Sequence, residues 1–201
     1  MVPNVDFNRT FGEVASMNRP RSAQGRLTRN EGPLMASFVC STCGESHQGL
    51  PTDHGWTLPD EVWAIPPAVR NEKARFNADL CELGERFFMR CILELPFTQQ
   101  SEYYGLGVWV EVSERDFLRY VDLYNEDGTS EPPVPGKIAN AVPGYPPTLG
   151  LPVMVQFRGS TSRPSVAPID RDHPLAIDHR EGVDNRRYHE ILVFMGSLRG
   201  P

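Results

Sequence analysis

The sequence has no long unbroken apolar run, which argues against a membrane-spanning helix. Its longest stretch without a charged residue extends from Ile138 to Phe157. Four prolines interrupt this stretch, so it cannot form one continuous helix across a bilayer. The N-terminus also lacks the apolar segment of a secretory signal. We therefore expect no membrane association.

The chain is also short of positive charge. It carries 20 Lys and Arg residues against 26 Asp and Glu residues, which gives a formal net charge of −6. Five of the arginines fall within the first 34 residues, so the remainder is more acidic still. Because an acidic surface repels a phosphate backbone, nucleic acid is not expected as a partner.

Cysteine is scarce, with four thiols in 201 residues. This density is too low for a disulfide-stabilised scaffold, so reduced thiols in the cytoplasm are expected. Several catalytic signatures are missing as well: the Gly-x-Ser-x-Gly elbow, the His-Glu-x-x-His zinc helix, the phosphate loop and the dinucleotide fingerprint. The sequence therefore predicts no catalytic residue.

Composition divides the chain into an extension and one domain. Residues 1–34 are polar, rich in helix breakers and poor in apolar side chains. We predict a flexible N-terminal extension, or one that results from a misassigned start, because Met35 would be a natural first residue. An arm docked through its few apolar residues is the alternative. Residues 35–201 are predicted to form a single domain.

Apolar periodicity predicts an α+β domain with a mainly antiparallel sheet and a few helices. Alternating apolar residues predict strands at 86–96 and 104–112, joined as an antiparallel hairpin. Helical spacing predicts a helix from about 114 to 125 that is capped by Ser113. The remaining elements predicted are helices at 67–77, after a cap at Asp172 and at 184–196, a strand at 151–158, and a short strand or turn at 136–141.

The stretch from Cys40 to His47 resembles half of a zinc site. Two thiols three positions apart can reach one ion from a tight turn, and Gly44 can adopt the left-handed conformation that turns amide groups toward thiolates. His47 is near enough to bind the same ion, although a solvent-exposed turn histidine is an equal alternative. A closed structural site needs four ligands, and Cys81 is the predicted fourth. The pattern thus predicts a zinc-knuckle-like N-terminal turn with structural zinc on Cys40, Cys43, His47 and Cys81.

Two other interpretations of the Cys40 and Cys43 pair remain open. The thiols could be buried or reduced in a small turn without metal. They could also be redox-active, but Gly44 argues against the helix that normally lowers the thiol pKa in such motifs. Cys91 lies inside a predicted strand, where a lone thiol is more often a small core residue than a ligand.

A second polar group combines Arg163 with Asp172, His173 and Asp178. One interpretation makes Arg163, His173 and Asp178 a cluster that binds a small anion or another protein. We favour a local interpretation, in which Asp172 caps a helix, His173 lies in its first turn and Asp178 is solvated, because capping needs only neighbouring chemistry.

Motifs spread along the chain resemble an uncharacterised bacterial family, domain of unknown function 2199. In order they are Cys40-x-x-Cys43-Gly44 with His47, Asp79-Leu80-Cys81, Phe87-Phe88-Met89-Arg90, Gly107-Val108-Trp109-Val110-Glu111-Val112-Ser113, Tyr145-Pro146-Pro147-Thr148-Leu149, Arg163-Pro164 and His173-Pro174-Leu175-Ala176. The resemblance covers about residues 36–195. It implies that the four predicted zinc ligands belong to one shared pattern, and it implies no activity.

The leading functional prediction is a non-enzymatic, zinc-stabilised binding module of the bacterial cytoplasm that recognises protein. The alternative is a zinc-dependent, hydrolase-like enzyme, in which three protein ligands hold the ion and water takes an open fourth position beside His173 or Asp178. A thiol redox protein is the third class, and it would form a Cys40–Cys43 disulfide without metal.

Overall fold

The computed structural model describes residues 38–39, 44–47 and 50–198. The prediction for residues 1–34 and the predicted ligands Cys40 and Cys43 lie outside the described residues, as does the side chain of His47. Among the described helices, none combines the length and the apolar character that crossing a bilayer requires.

The described elements mix strands and helices, which confirms the α+β class. The strands are Phe38–Val39 (β1), Ser46–His47 (β2), Asp53–Gly55 (β3), Ala74–Phe76 (β4), Leu80–Leu83 (β5), Arg86–Pro96 (β6), Tyr103–Val112 (β7), Val134–Ile138 (β8), Pro152–Gln156 (β9) and Ser165–Pro168 (β10). The helices are Asp60–Trp63 (α1), Pro67–Lys73 (α2), Glu114–Asp122 (α3), Pro174–Glu181 (α4) and Asn185–Phe194 (α5).

The long hairpin of β6 and β7 organises the sheet and confirms the predicted pairing. Phe87 lies opposite Val112 and Pro96 lies opposite Tyr103, in an unbroken antiparallel register. Because strand side chains alternate between faces, the odd-numbered residues of β6 and the even-numbered residues of β7 share one face. That face is apolar along its whole length and is buried.

The sheet closes on itself through five strands. β7, β8, β9 and β10 pair in sequence, each antiparallel to the one before. β10 then pairs in parallel with β6 at Ser165 and Ile92. β3 extends the sheet beside β7 in parallel, while β5 and β4 extend it beside β6. The sheet is thus mainly antiparallel, as predicted, with two parallel pairings that the sequence did not indicate.

Two apolar clusters lie on opposite faces of the hairpin. The larger one fills the space inside the closed sheet, and α3 packs against it. The aromatic ring centroids of Phe117 in α3 and Phe87 are 5.3 Å apart. The smaller one contains Leu58, Val62, Ala74, Cys81, Phe88, Trp109 and Ala139. Full burial of a large apolar side chain contributes roughly 1.5–3 kcal/mol, so both clusters stabilise the hairpin.

The N-terminal cap of α3 is the predicted residue, whereas that of α4 is not. Ser113 Oγ accepts from Asp116 N at 3.2 Å, which confirms the predicted cap of α3. The cap of α4 is His173 and not Asp172, because its Nδ1 accepts from Leu175 N at 3.1 Å. Pro174 has no N–H to donate, so the longer imidazole reaches the next amide.

Several element boundaries differ from prediction. Helix α2 ends at Lys73 instead of continuing to 77, because residues 74–76 form β4 and pair with β5. Helix α3 ends at Asp122. Strand β8 occupies Val134–Ile138, slightly before the predicted 136–141.

Candidate functional site

The predicted zinc-knuckle-like turn begins and ends in a pair of short strands. β1 and β2 run antiparallel, with Phe38 opposite His47 and Val39 opposite Ser46. Gly44 lies between them with a φ of +74°, which is the left-handed conformation that the predicted turn requires. The described backbone therefore pairs the two short segments that precede and follow the residues containing Cys40 and Cys43.

Cys81 occupies the smaller apolar cluster. It lies in β5 opposite Phe88, and its exposed fraction is 0%. Burial, assisted by the carboxylates of Glu61 and Glu82, raises the pKa of the Cys81 thiol to about 12. Among the described residues, no group of three or more His, Cys, Asp and Glu side chains is arranged to hold a metal ion. The role of Cys81 as a ligand stays a prediction.

Cys91 is a core residue, as predicted. It lies in the larger cluster with an exposed fraction of 0%, and burial raises the pKa of its thiol. Its Sγ donates to Met89 O at 3.8 Å.

The polar group near α4 has separate, local roles. His173 caps the helix, and its Nε2 is buried without a partner among the described residues. Asp178 is not the solvated position that we expected, because Oδ2 accepts from Tyr145 Oη at 2.7 Å and from Arg187 Nε at 2.8 Å. Arg163 pairs with Asp79. The three side chains of the predicted anion cluster therefore have different partners.

A cleft of about 420 Å³ opens beside α1 and the ends of β7 and β8. The residues that line it are Asp60, Glu61, Arg86, Glu111, Lys137, Ile138, Ala139, Leu149 and Gly150. Its charged groups largely neutralise one another, because Arg86 pairs with both Glu61 and Glu111. Such a cleft provides charged walls but no activated nucleophile.

A buried charged group that the sequence did not predict lies where β6 changes neighbours. The first half of β6 pairs with β5, and the second half pairs with β10. Arg90 lies at this change. Its backbone N–H donates to Asp79 O at 2.8 Å, and Ile92 N donates to Pro164 O at 2.8 Å. The fork brings Asp79, Arg90 and Arg163 together, and we name these three residues the arginine site.

Asp79 is the buried carboxylate of the arginine site. Its side chain is 2% exposed and that of Arg163 is 9% exposed. Oδ1 accepts from Arg163 Nε at 2.7 Å, and Oδ2 accepts from Tyr124 Oη at 2.7 Å. Each carboxylate oxygen therefore already has a strong donor.

Arg90 is less well partnered. Its Nε is buried without a hydrogen-bond partner among the described residues. Burial, and then repulsion from Arg163, lowers the pKa of Arg90, against the attraction of Asp79 and Asp53. The guanidinium lies against two glycines: a Cβ at Gly55 would collide with Nη2, and one at Gly107 would approach it to 3.4 Å.

Three motifs of the family resemblance contain the three residues of the arginine site. Asp79, Arg90 and Arg163 each end or begin one of the quoted motifs. Sequence spacing could not bring them together, because that needs the parallel pairing of β10 with β6. Asp79 also lies two positions before Cys81, the thiol that was predicted as a zinc ligand.

Comparisons with known proteins agree with the resemblance. Residues 39–183, more than half of the chain, match the model of a family described as an uncharacterized protein conserved in bacteria, DUF2199. No curated protein matches the chain. No solved structure matches it either.

Proposed function

We propose that this chain, which belongs to the DUF2199 family of uncharacterised proteins conserved in bacteria, is a non-enzymatic binding module stabilised by structural zinc. The ion would be held by Cys40, Cys43, His47 and Cys81. Protein as the partner and the cytoplasm as the location stay predictions from the sequence.

The observation that supports the metal is the pair of short strands before and after the segment that contains the two thiols. Strands β1 and β2 are two residues long, which is far shorter than a stable isolated hairpin needs. Gly44 provides the left-handed turn at the residue after Cys43. A metal ion that joins the turn to the rest of the domain would supply the missing stabilisation.

The proposed ligand set fits zinc chemistry on the condition that the Cys81 thiol loses its proton. Zinc prefers thiolate sulfur and imidazole nitrogen in a tetrahedron, which is the donor set proposed here. The Cys81 thiol, with its pKa raised to about 12, would have to lose its proton, which coordination by a metal cation favours. Counting the sulfur atoms at the ion therefore decides whether Cys81 belongs to the set.

The enzymatic alternative has less support, because its proposed cleft residues already have structural partners. His173 Nδ1 accepts the amide of Leu175. Asp178 accepts from Tyr145 and Arg187. A general base needs a free lone pair directed at substrate, whereas His173 uses the lone pair of Nδ1 in the helix cap and Asp178 is held by two donors through Oδ2.

Elemental analysis of the purified chain tests the proposal. We expect about one zinc per chain, bound by four protein ligands. Cys43→Ser should lose the zinc and unfold at a lower temperature, and a chelator should lower the midpoint of the wild type but not that of the variant. Cys91→Ser is the matched control, because it changes a core thiol outside the ligand set and should retain the metal.

Zinc X-ray absorption separates the competing interpretations. Three sulfurs and one nitrogen support the full ligand set, whereas two sulfurs exclude Cys81. An oxygen ligand from water would favour the enzyme. Absence of zinc from protein purified without chelator, together with a midpoint that a chelator leaves unchanged, would refute structural zinc.

A further inference from the structure

We propose that His173 makes the first turn of α4 sensitive to pH, because only its neutral imidazole can cap the helix. In acid the protonated ring leaves its position and the cap is lost. This inference goes beyond the zinc proposal and does not rest on it, since His173 is not one of the four proposed ligands.

The first argument is the direction of the capping hydrogen bond. Leu175 N lies 3.1 Å from His173 Nδ1. A backbone N–H can only donate, so Nδ1 must offer a lone pair and the ring proton must lie on Nε2. Protonation places N–H groups on both ring nitrogens, which leaves Nδ1 unable to accept. The bond therefore exists only while His173 is neutral.

The second argument is that the Leu175 amide depends on this bond. Leu175 has an exposed fraction of 0%, so water does not replace a lost acceptor. Its neighbours in the turn do not use the imidazole, because Ala176 N and Ile177 N donate to His173 O at 2.8 and 3.1 Å, and Pro174 has no N–H. A buried donor that loses its acceptor is destabilising. Protonation of His173 thus acts on one amide of the turn.

The third argument is the other ring nitrogen. Nε2 of His173 is buried and has no hydrogen-bond partner among the described residues. Protonation spreads a positive charge over both nitrogens, and a buried charge without a partner costs more than a buried neutral N–H. The positive end of the helix dipole, at the N-terminus of α4, repels the same charge. Moving the ring into solvent relieves both costs.

The elements that pack against α4 provide no counter-ion for a protonated His173. These elements are β6 and β10, and β10 contains no charged residue. The charged residues of β6 are Arg86, Arg90 and Glu94. The Glu94 carboxylate already accepts from Arg158 Nη2 at 2.7 Å. No carboxylate from these strands therefore holds the imidazolium in place.

The charged groups of α4 and of the loop before it have other partners or are in solvent. Asp178 accepts from two donors through Oδ2, and Arg180 pairs with Glu181. The three charged residues at 170–172 are exposed, so solvent screens them. None of these groups is a hydrogen-bond partner of Nε2.

Nitrogen-15 NMR of the full chain measures the capping bond directly. At about pH 8 we expect the Nε2–H tautomer of His173 and a scalar coupling between Leu175 N and His173 Nδ1. Lowering the pH to about 5 crosses the range in which histidines gain a proton and should remove the coupling. The hydrogen-exchange protection of the Leu175 amide should then fall by about fivefold, the size expected for the loss of a cap.

His179 is the internal control in the same helix. Its Nδ1 lies 2.7 Å from Glu94 O. Because a carbonyl can only accept, this nitrogen carries a proton in both the neutral and the protonated ring. Titration of His179 should therefore leave its bond intact. The Gly182 amide, which donates to Asp178 O at 3.1 Å, should keep its protection in acid.

Two variants separate the cap from other acid-sensitive groups. Asparagine caps helices without titrating in this range, so His173→Asn should keep the protection of Leu175 at both pH values. His173→Ala lacks a cap at either pH, so its Leu175 signal at about pH 8 should resemble that of the wild type at about pH 5. Acid release of zinc would affect the wild type and both variants alike, so failure of the zinc proposal would not imitate this pattern.

Several results would overturn the proposal. An Nδ1–H tautomer of His173 at about pH 8 would contradict the capping bond. Titration of His173 with an unchanged Leu175 signal would show that the turn tolerates the imidazolium. A ring that stays neutral at about pH 5 would show that no switch operates in this range. An equal transition of Leu175 in His173→Asn would assign the effect to another group.

Discussion

Arg86 and Arg90 lie on the same face of β6, yet their surroundings are opposite. Arg86 donates from Nε and Nη2 to the two carboxylate oxygens of Glu111, at 2.8 and 2.6 Å, and also pairs with Glu61. Its side chain is 45% exposed. Arg90 is half-buried, and its Nε is buried without a hydrogen-bond partner among the described residues.

The pKa directions express the same contrast. The hydrogen bonds that Arg86 donates to Glu111 raise the pKa of Arg86, whereas burial lowers the pKa of Arg90. Arg86 lies at the start of the strand, where partners reach it from the surface. Arg90 lies where the strand that pairs with β6 changes from β5 to β10. At this fork the backbone N–H of Arg90 donates to Asp79 O, and the guanidinium packs against Gly55 and Gly107.

The largest expected effect comes from Asp79, which lies beside Arg90 at the fork and pairs with the buried Arg163. Asp79→Asn should lower the free energy of unfolding by about 3–5 kcal/mol, because it leaves the buried Arg163 without its counter-ion. Glu111→Gln is the matched control at the exposed end and should cost less than about 1 kcal/mol. Urea unfolding of the three proteins measures both. Equal losses would remove the distinction between the two ends.

The hairpin and α3 could be predicted because their signals are local. Alternation of apolar residues indicated β6 and β7, and the cap at Ser113 indicated the start of α3. β3, β5 and β10 were missed because strands of three or four residues are too short for a periodic pattern. The parallel closure of the ring joins residues distant in sequence, which no local pattern encodes.

The arginine site was not predictable from sequence for a related reason. Asp79, Arg90 and Arg163 belong to three separate segments, and only the fork in β6 brings them together. Cys40 and Cys43 could be predicted as metal ligands because they lie close together in the sequence. A charged residue inside an apolar strand, such as Arg90 between Met89 and Cys91, is the sequence feature that could have indicated a partly buried cation.

A smaller effect is expected from filling the space beside Arg90. Gly55→Ala places a methyl group against Nη2, the far end of a flexible side chain that can shift to admit it, so the substitution should cost about 1 kcal/mol, the lower end of the range for overpacking. Gly159→Ala is the control, because a Cβ there meets nothing within 4 Å. On the Arg90→Leu background the cost of Gly55→Ala should shrink, which a double-mutant cycle measured by urea unfolding would reveal. A cost that is unchanged in that background would place the guanidinium elsewhere.

The smallest effect is expected at Arg86, the exposed arginine of the comparison. Arg86→Gln should cost at most about 1 kcal/mol, because solvent screens a pair that is nearly half exposed. Arg86 lowers the pKa of Glu111 from its ordinary 4.5. The contribution of the pair is therefore present above pH 4.5 and is lost as the pH falls through the lowered value. Urea unfolding of wild type and variant at pH 7 and at pH 3 should show a difference that shrinks in acid. A difference that grows in acid would contradict the pairing, because protonation of Glu111 removes the charge that Arg86 meets.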